Sequence, residues 1–236
     1  MNTIQPTNLQ DKQQTRNEIL GHNSSGSGSF NGRGGDGNGG LRKPDGGTRP
    51  IGIGAALRRL AGRVIMAQQG EEMGRVFTTT APTADMLEAA GHARDRPCNV
   101  PQQLGCGVKG GAEIAVAAVR SALQLQPKWV CVSEDKINGF NAITRRAIYD
   151  GLLKWFPELI PTFRQFYARK GNLYTVGPSG KRLAVDENGD PYWSAEGCAQ
   201  GDPLGPFFFA IGYHTSLLRT QAAHPDASIL CYLDDT

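Results

Sequence analysis

Long hydrophobic runs are missing from this sequence. The longest apolar stretch lies around Phe207 to Ile211, far short of the ~20 residues that a membrane-spanning helix needs. The N-terminal MNTIQPTNLQDKQQTRNEIL is polar and lacks the apolar core of a secretory signal. There is no C-x-x-C pair and no histidine at zinc-ligand spacing. The five cysteines, Cys98, Cys106, Cys131, Cys198 and Cys231, are irregularly scattered. That pattern argues against a disulfide framework and predicts reduced, buried thiols in a soluble, intracellular protein with no membrane partner. Charge of one sign is also scarce: a net +3 permits nucleic-acid binding without arguing for it. No internal repeat is visible. Of the 236 residues, 39% are hydrophobic and 20% charged, enough for one good core or two small ones that share an interface.

Glycine, by contrast, is in excess, at 31 residues against a usual share near ~7%. Much of it lies in residues 1–40, which end in GHNSSGSGSFNGRGGDGNGG. With almost nothing apolar to bury, this segment is predicted to be a disordered tail. Order is predicted to begin at LRKPDGGTRPIGIG, where Pro44-Asp45-Gly46-Gly47 marks the turn of a β-hairpin. Leu57, Leu60, Val64 and Ile65 recur at helical spacing and predict a helix over 55–72. Further helices are expected over 84–92, 111–125, 145–156 (capped by Thr144), 161–169 and 205–219. Trp129-Val130-Cys131-Val132 predicts a short buried strand within 128–135, LYTV and RLAV a hairpin, and 228–233 a final strand. Segregated helices and hairpins point to an α+β fold.

The chemistry concentrates at the ends of two of these strands. Ile229-Leu230-Cys231-Tyr232-Leu233 runs into Asp234 and Asp235. Taken alone, an Asp-Asp pair after a strand is an ordinary surface turn. Asp135, however, ends the other apolar run, and neighbouring strands of one sheet would bring it to the same edge. Three carboxylates there are costly unless a cation neutralises them. Oxygen-only ligands suit Mg²⁺, and a pair of such ions is the usual apparatus of nucleotidyl transfer.

At this point the sequence resembles the reverse transcriptases, most closely those of non-LTR retrotransposons, over roughly residues 41–236. Asp135-x-x-Asn138-Gly139-Phe140-Asn141 is similar to their first catalytic motif, D-x-x-N-A-F. Gln200-Gly201-Asp202-Pro203-Leu204-Gly205-Pro206 resembles Q-G-x-x-x-[SG]-P, and Tyr232-Leu233-Asp234-Asp235 resembles Y-x-D-D. Upstream, Lys43-Pro44-Asp45-Gly46 and Arg49-Pro50-Ile51 are similar to the fingers hairpin, and Gln103-Leu104-Gly105-Cys106-Gly107-Val108-Lys109 to Q-x-G-x-x-[RK]. Departures from the family pattern are Glu134 before Asp135, the order Lys136-Ile137, and Gly139 in place of Ala.

The resemblance implies polymerase fingers over 41–127 and a palm over 128–236, with an antiparallel palm sheet backed by helices. The palm would be incomplete and the thumb absent. It implies an RNA-directed DNA polymerase that adds deoxynucleotides to a primer 3′-hydroxyl on an RNA or DNA template, in the nucleus if it serves an active retroelement. Asp135, Asp234 and Asp235 would be catalytic and hold Mg²⁺. Lys43 and Arg49 would reach the triphosphate of the incoming dNTP. Gln200 and Gly201 would lie against its sugar and base pair, and Tyr232 beside it. Phe140 would sit under C2′ and exclude a 2′-hydroxyl, although its burial alone reads as core packing. Lys109 would touch the template backbone or be an ordinary solvated lysine. Because the sequence ends one residue after the Asp pair, that pair is expected at a frayed end and the isolated chain is expected not to polymerise.

Two rival readings stand beside this one. An RNA-dependent RNA polymerase shares the palm acids but needs a polar group near the 2′-hydroxyl, where this chain has Phe140. A truncated, inactive retroelement copy with at most nucleic-acid binding is the alternative from another class.

Overall fold

The computed structural model describes residues 56–169 and 193–236 in full, together with the backbone of a few short strands outside them. The predicted tail up to residue 36, the turn around Pro44 to Gly47 and Lys43 lie outside the described residues. Two of the short strands, β1 (Gly37–Arg42) and β2 (Thr48–Ile53), form an antiparallel hairpin with Gly37 opposite Ile53 and Arg42 opposite Thr48. The hairpin therefore starts earlier than composition suggested. Gly37 to Gly40 belong to a strand and not to the tail, because backbone pairing needs no apolar side chains.

Helix α1 (Ala56–Thr79) runs past its predicted end and buries mainly its C-terminal half, at Met73, Gly74, Val76 and Phe77. Leu57, which set the apolar spacing, is 80% exposed. Thr83 caps α2 (Ala84–Ala89) by accepting a hydrogen bond from the Met86 amide. The two-residue β3 (Gln102–Gln103) follows, then α3 (Gly111–Leu125), whose only buried residue is Gly111. After the single turn α4 (Gly139–Ala142) comes α5 (Arg145–Trp155), capped as expected by the Thr144 hydroxyl on the Ala147 amide. Helix α6 (Ile160–Tyr167) precedes strands β4 (Gly171–Asn172), β5 (Thr175–Val176), β6 (Arg182–Leu183) and β7 (Trp193–Ser194). Strands β5 and β6 pair antiparallel, and β5 lies parallel to β1.

The core is organised by α7 (Gly205–Ala223). Its N-terminal half is buried on nearly every side, as befits a helix in the middle of a fold, while Ser216, Arg219 and Thr220 reach the surface. Phe207, Phe208, Phe209, Ala210 and Ile211 are all buried, each phenylalanine contributing roughly 1.5–3 kcal/mol by leaving water. Helix α5 packs along it. The approach is close because both helices offer a glycine: a Cβ at Gly151 would stand 2.6 Å from the Ile211 carbonyl oxygen. From α6, Phe163 and Tyr167 set their rings edge-on to Phe208 at 5.3 and 5.5 Å. His214 is buried between the rings of Phe77 and Trp155.

One expectation fails. Residues 128–133 form no strand, and Val130 and Val132 are 85% and 81% exposed. Burying an extended apolar segment requires a partner on each polar edge, and among the described residues this segment pairs only at its end, through Glu134 and Asp135. Cys131 is accordingly exposed rather than buried. The final strand, β8 (Leu230–Cys231), pairs in parallel with β3.

Candidate active site

Three segments far apart in sequence meet at one edge of this core. Asp135 and Asp235 are partners in an antiparallel bridge. On either side of it, Glu134 and Thr236 exchange two backbone hydrogen bonds of 2.8 and 2.9 Å, and the Lys136 amide donates to the Asp234 carbonyl at 3.3 Å. The third segment, Gly197 to Leu204, is tied to the first: the Cys198 amide donates to the Phe140 carbonyl at 2.8 Å and the Gly197 amide to the Ile143 carbonyl at 3.0 Å.

The Asp pair does not hang at a frayed end. The Tyr232 amide donates to the Asp235 carbonyl at 2.8 Å and the Asp235 amide returns to the Tyr232 carbonyl at 3.3 Å, which closes a tight turn. Leu233 takes a positive φ of 59° at the first corner, an unusual conformation for a bulky residue. The turn holds because Thr236 is paired with Glu134 and because the Gln103 side chain grips Leu233. Neither anchor was legible as such in the sequence.

Directly opposite residues of an antiparallel pair share a face, so Asp135 and Asp235 point the same way, both exposed. Asp234, the second corner of the turn, is half-buried. Its Cβ lies 3.1 Å from where a Cβ at Gly139 would be. Glycine at that position gives Asp234 room that alanine would reduce. The charges flanking Asp135 also find an account, since Lys136 and Glu134 pair with each other at 3.0 Å. Lys136 lies 5.1 Å over the Tyr213 ring. Burial opposes its charge, yet hydrogen bonds with Tyr213 and Glu134 leave its pKa raised.

Phe140 is buried and stacks on Phe209, centroids 4.9 Å apart. Gln200 and Gly201 are half-exposed at the tip of their loop. That loop is secured by a buried network that sequence reasoning missed. Asp202 is 5% exposed; its carboxylate accepts from Arg58 Nη2 at 2.5 Å, Tyr167 Oη at 2.7 Å and the Leu204 amide at 3.0 Å. The Tyr167 hydroxyl in turn accepts from the Ala199 amide at 3.2 Å, and burial pushes its pKa well up. Arg145, whose pKa burial lowers, donates to the Gly197 carbonyl and to Ser194 Oγ. Arg58 and Arg145 lie 4.8 and 5.3 Å from the Tyr167 ring centre. A signal was present: an aspartate inside an apolar loop implies a buried cation.

Tyr232 is 41% exposed beside the carboxylates. Arg49 falls in β2, whose side chains lie outside the described residues, as does Lys43. Lys109 is exposed. Among the described residues, no group of three or more His, Cys, Asp or Glu side chains is gathered to hold a metal ion. The donor chemistry still fits a divalent cation: Asp135 and Asp235 face each other across the bridge, and neither has an ion-pair partner among the described residues.

No family model matches the chain. It is 30% identical over 200 residues to the retrotransposable element SLACS 132 kDa protein of Trypanosoma brucei gambiense. The match takes in 83% of this chain and 14% of that protein's length. No helix among the described residues is long and apolar enough to cross a membrane. Over most of its length, the chain is thus related to a retrotransposon protein.

Proposed function

We propose that these residues are the nucleotidyl-transfer region of a retrotransposon RNA-directed DNA polymerase. The observation that carries the reading is the bridge between Asp135 and Asp235, which brings two acidic motifs from distant parts of the chain to one turn. Similarity to a retrotransposon protein supports it. In this reading Asp135, Asp234 and Asp235 hold Mg²⁺, which when bound makes the primer 3′-hydroxyl easier to deprotonate and stabilises the leaving pyrophosphate. The Asp202 network holds Gln200 and Gly201 against the sugar and base pair of the incoming dNTP. Phe140, backed by Phe209, leaves no room for a 2′-hydroxyl. Lys43 and Arg49 supply positive charge to the triphosphate.

The test is primer extension by the full-length protein on RNA and DNA templates with Mg²⁺ and dNTPs, with primer-template binding measured on the same preparation. Template-directed deoxynucleotide incorporation is expected. Binding without incorporation on either template would establish the second reading, a retroelement remnant that binds nucleic acid. One observation favours that remnant: the three carboxylates are not drawn together among the described residues.

A further inference from the structure

Gln103 is wholly buried, an expensive place for a primary amide unless its polar atoms are satisfied. They are satisfied on one target. Its Oε1 accepts from the Leu233 amide at 2.8 Å, and its Nε2 donates to the Leu233 carbonyl at 3.1 Å. The same Oε1 accepts from the Gly105 amide at 3.0 Å. A side-chain amide that bonds both polar groups of one residue does what a neighbouring strand would do. It is needed here because β8 ends at Cys231, where the ladder with β3 stops after Leu104 donates to the Cys231 carbonyl at 2.8 Å. Beyond that point the backbone turns away with Leu233 at φ 59°.

A leucine in that conformation is strained by about 1–3 kcal/mol and persists only where its surroundings hold it. Gly105 completes the grip. A Cβ there would stand 2.7 Å from both the Leu233 amide nitrogen and its Cγ, and 3.1 Å from Gln103 Oε1. Both ends of Gln103-Leu104-Gly105 are therefore turned on Leu233, the residue immediately before Asp234.

We propose that Gln103 is a positioning residue, its buried amide clamping Leu233 in the left-handed conformation and so setting where Asp234 and Asp235 stand. The proposal rests on the reading of the three aspartates as cation ligands, and its test separates the two. The first measurement needs no variant: amide hydrogen exchange of the 236-residue chain. Strong protection of the Leu233 amide is expected, since its acceptor is a buried side chain; exchange at the rate of an open loop overturns the clamp. The second measurement is Mn²⁺ binding by electron paramagnetic resonance. Gln103→Met, similar in size but without the hydrogen bonds, is expected to weaken binding about 10-fold, as loss of a ligand-supporting contact does. Adding Leu233→Gly, which adopts positive φ without strain, is expected to recover part of that loss. Recovery marks positioning, because a glycine cannot repair a packing defect. Unchanged Mn²⁺ affinity in Gln103→Met, or no recovery in the double variant, overturns the proposal. If Asp135→Asn leaves Mn²⁺ binding intact, the carboxylates are not cation ligands and the underlying reading fails, whatever the exchange data show for Leu233.

Discussion

Replacing Asp202 with alanine tests how the Gln200–Gly201 loop is held. In the native protein the Asp202 carboxylate, 5% exposed, satisfies the Arg58 guanidinium, the Tyr167 hydroxyl and the Leu204 amide. Asp202→Ala strands all three at once. Removing one partner of a buried ion pair costs about 3–5 kcal/mol. The Arg58 side chain keeps 26% of its surface in water, so its charge is only partly stranded. The Tyr167 hydroxyl retains the Ala199 amide but loses its acceptor. The expected loss is about 3 kcal/mol, at the low end of that range. Urea unfolding of wild type and Asp202→Ala measures it, with Arg58→Met and the double variant completing a cycle. Because Arg58→Met removes the charge that Asp202→Ala strands, the double variant is expected to lose less than the sum of the single losses. A loss below ~1 kcal/mol, typical of an exposed pair, or strict additivity, would refute the view that this buried network anchors the loop.

Three other perturbations have defined outcomes. Burial, with a smaller contribution from Lys154, holds His214 down from 6.5 to about 4. The unfolded chain therefore binds a proton that the folded chain refuses between those values. Stability from this residue is present above pH 6.5 and is lost as pH falls toward 4, by roughly 3 kcal/mol. His214→Leu is expected to flatten the urea midpoint over that window; parallel profiles would contradict this. Gly151→Ala places a Cβ 2.6 Å from the Ile211 carbonyl oxygen and is expected to cost about 1–3 kcal/mol despite alanine's better helix propensity, so a raised melting temperature would sink the close-packing account. Phe140→Ala is expected to raise the ratio of ribonucleotide to deoxynucleotide incorporation by the full-length protein. It also removes a ring stacked on Phe209, at about 3–5 kcal/mol. The ratio is read because it does not depend on the folded fraction, and an unchanged ratio makes Phe140 a core residue only.

Local rules carried the helices well. Thr144 caps α5 where expected, and the apolar run from Phe207 is the central helix. They misled where burial depends on something distant. Trp129 to Val132 reads as a buried strand by composition, but an extended segment is buried only when neighbours cover it, and Val130 is 85% exposed. The two acidic motifs and the Gln200–Gly201 segment were legible as a set, and the backbone ties all three segments together. Legibility ended at the residues that hold them there. Gln103 stood out only as part of the Q-x-G-x-x-[RK] resemblance, its role hidden until the positive φ of Leu233 is known, and Arg58 meets Asp202 across 144 positions. Glu134 and Lys136 are a different case. Residues two apart on an extended backbone share a face, so their pairing was available from spacing alone.

The most direct measurement of the central claim compares single-turnover deoxynucleotide incorporation with primer-template affinity for Asp135→Asn, Asp235→Asn and, as a control, Asp85→Asn. Asp85 is an exposed acid paired with Arg94 away from the turn. If the bridge between Asp135 and Asp235 marks the reacting centre, incorporation by the first two variants of the full-length protein falls to background. Their affinity for primer-template stays near wild type, because that affinity comes chiefly from cations on the phosphate backbone. Asp85→Asn then behaves as wild type in both assays. Near-normal incorporation by Asp135→Asn or Asp235→Asn would contradict the assignment.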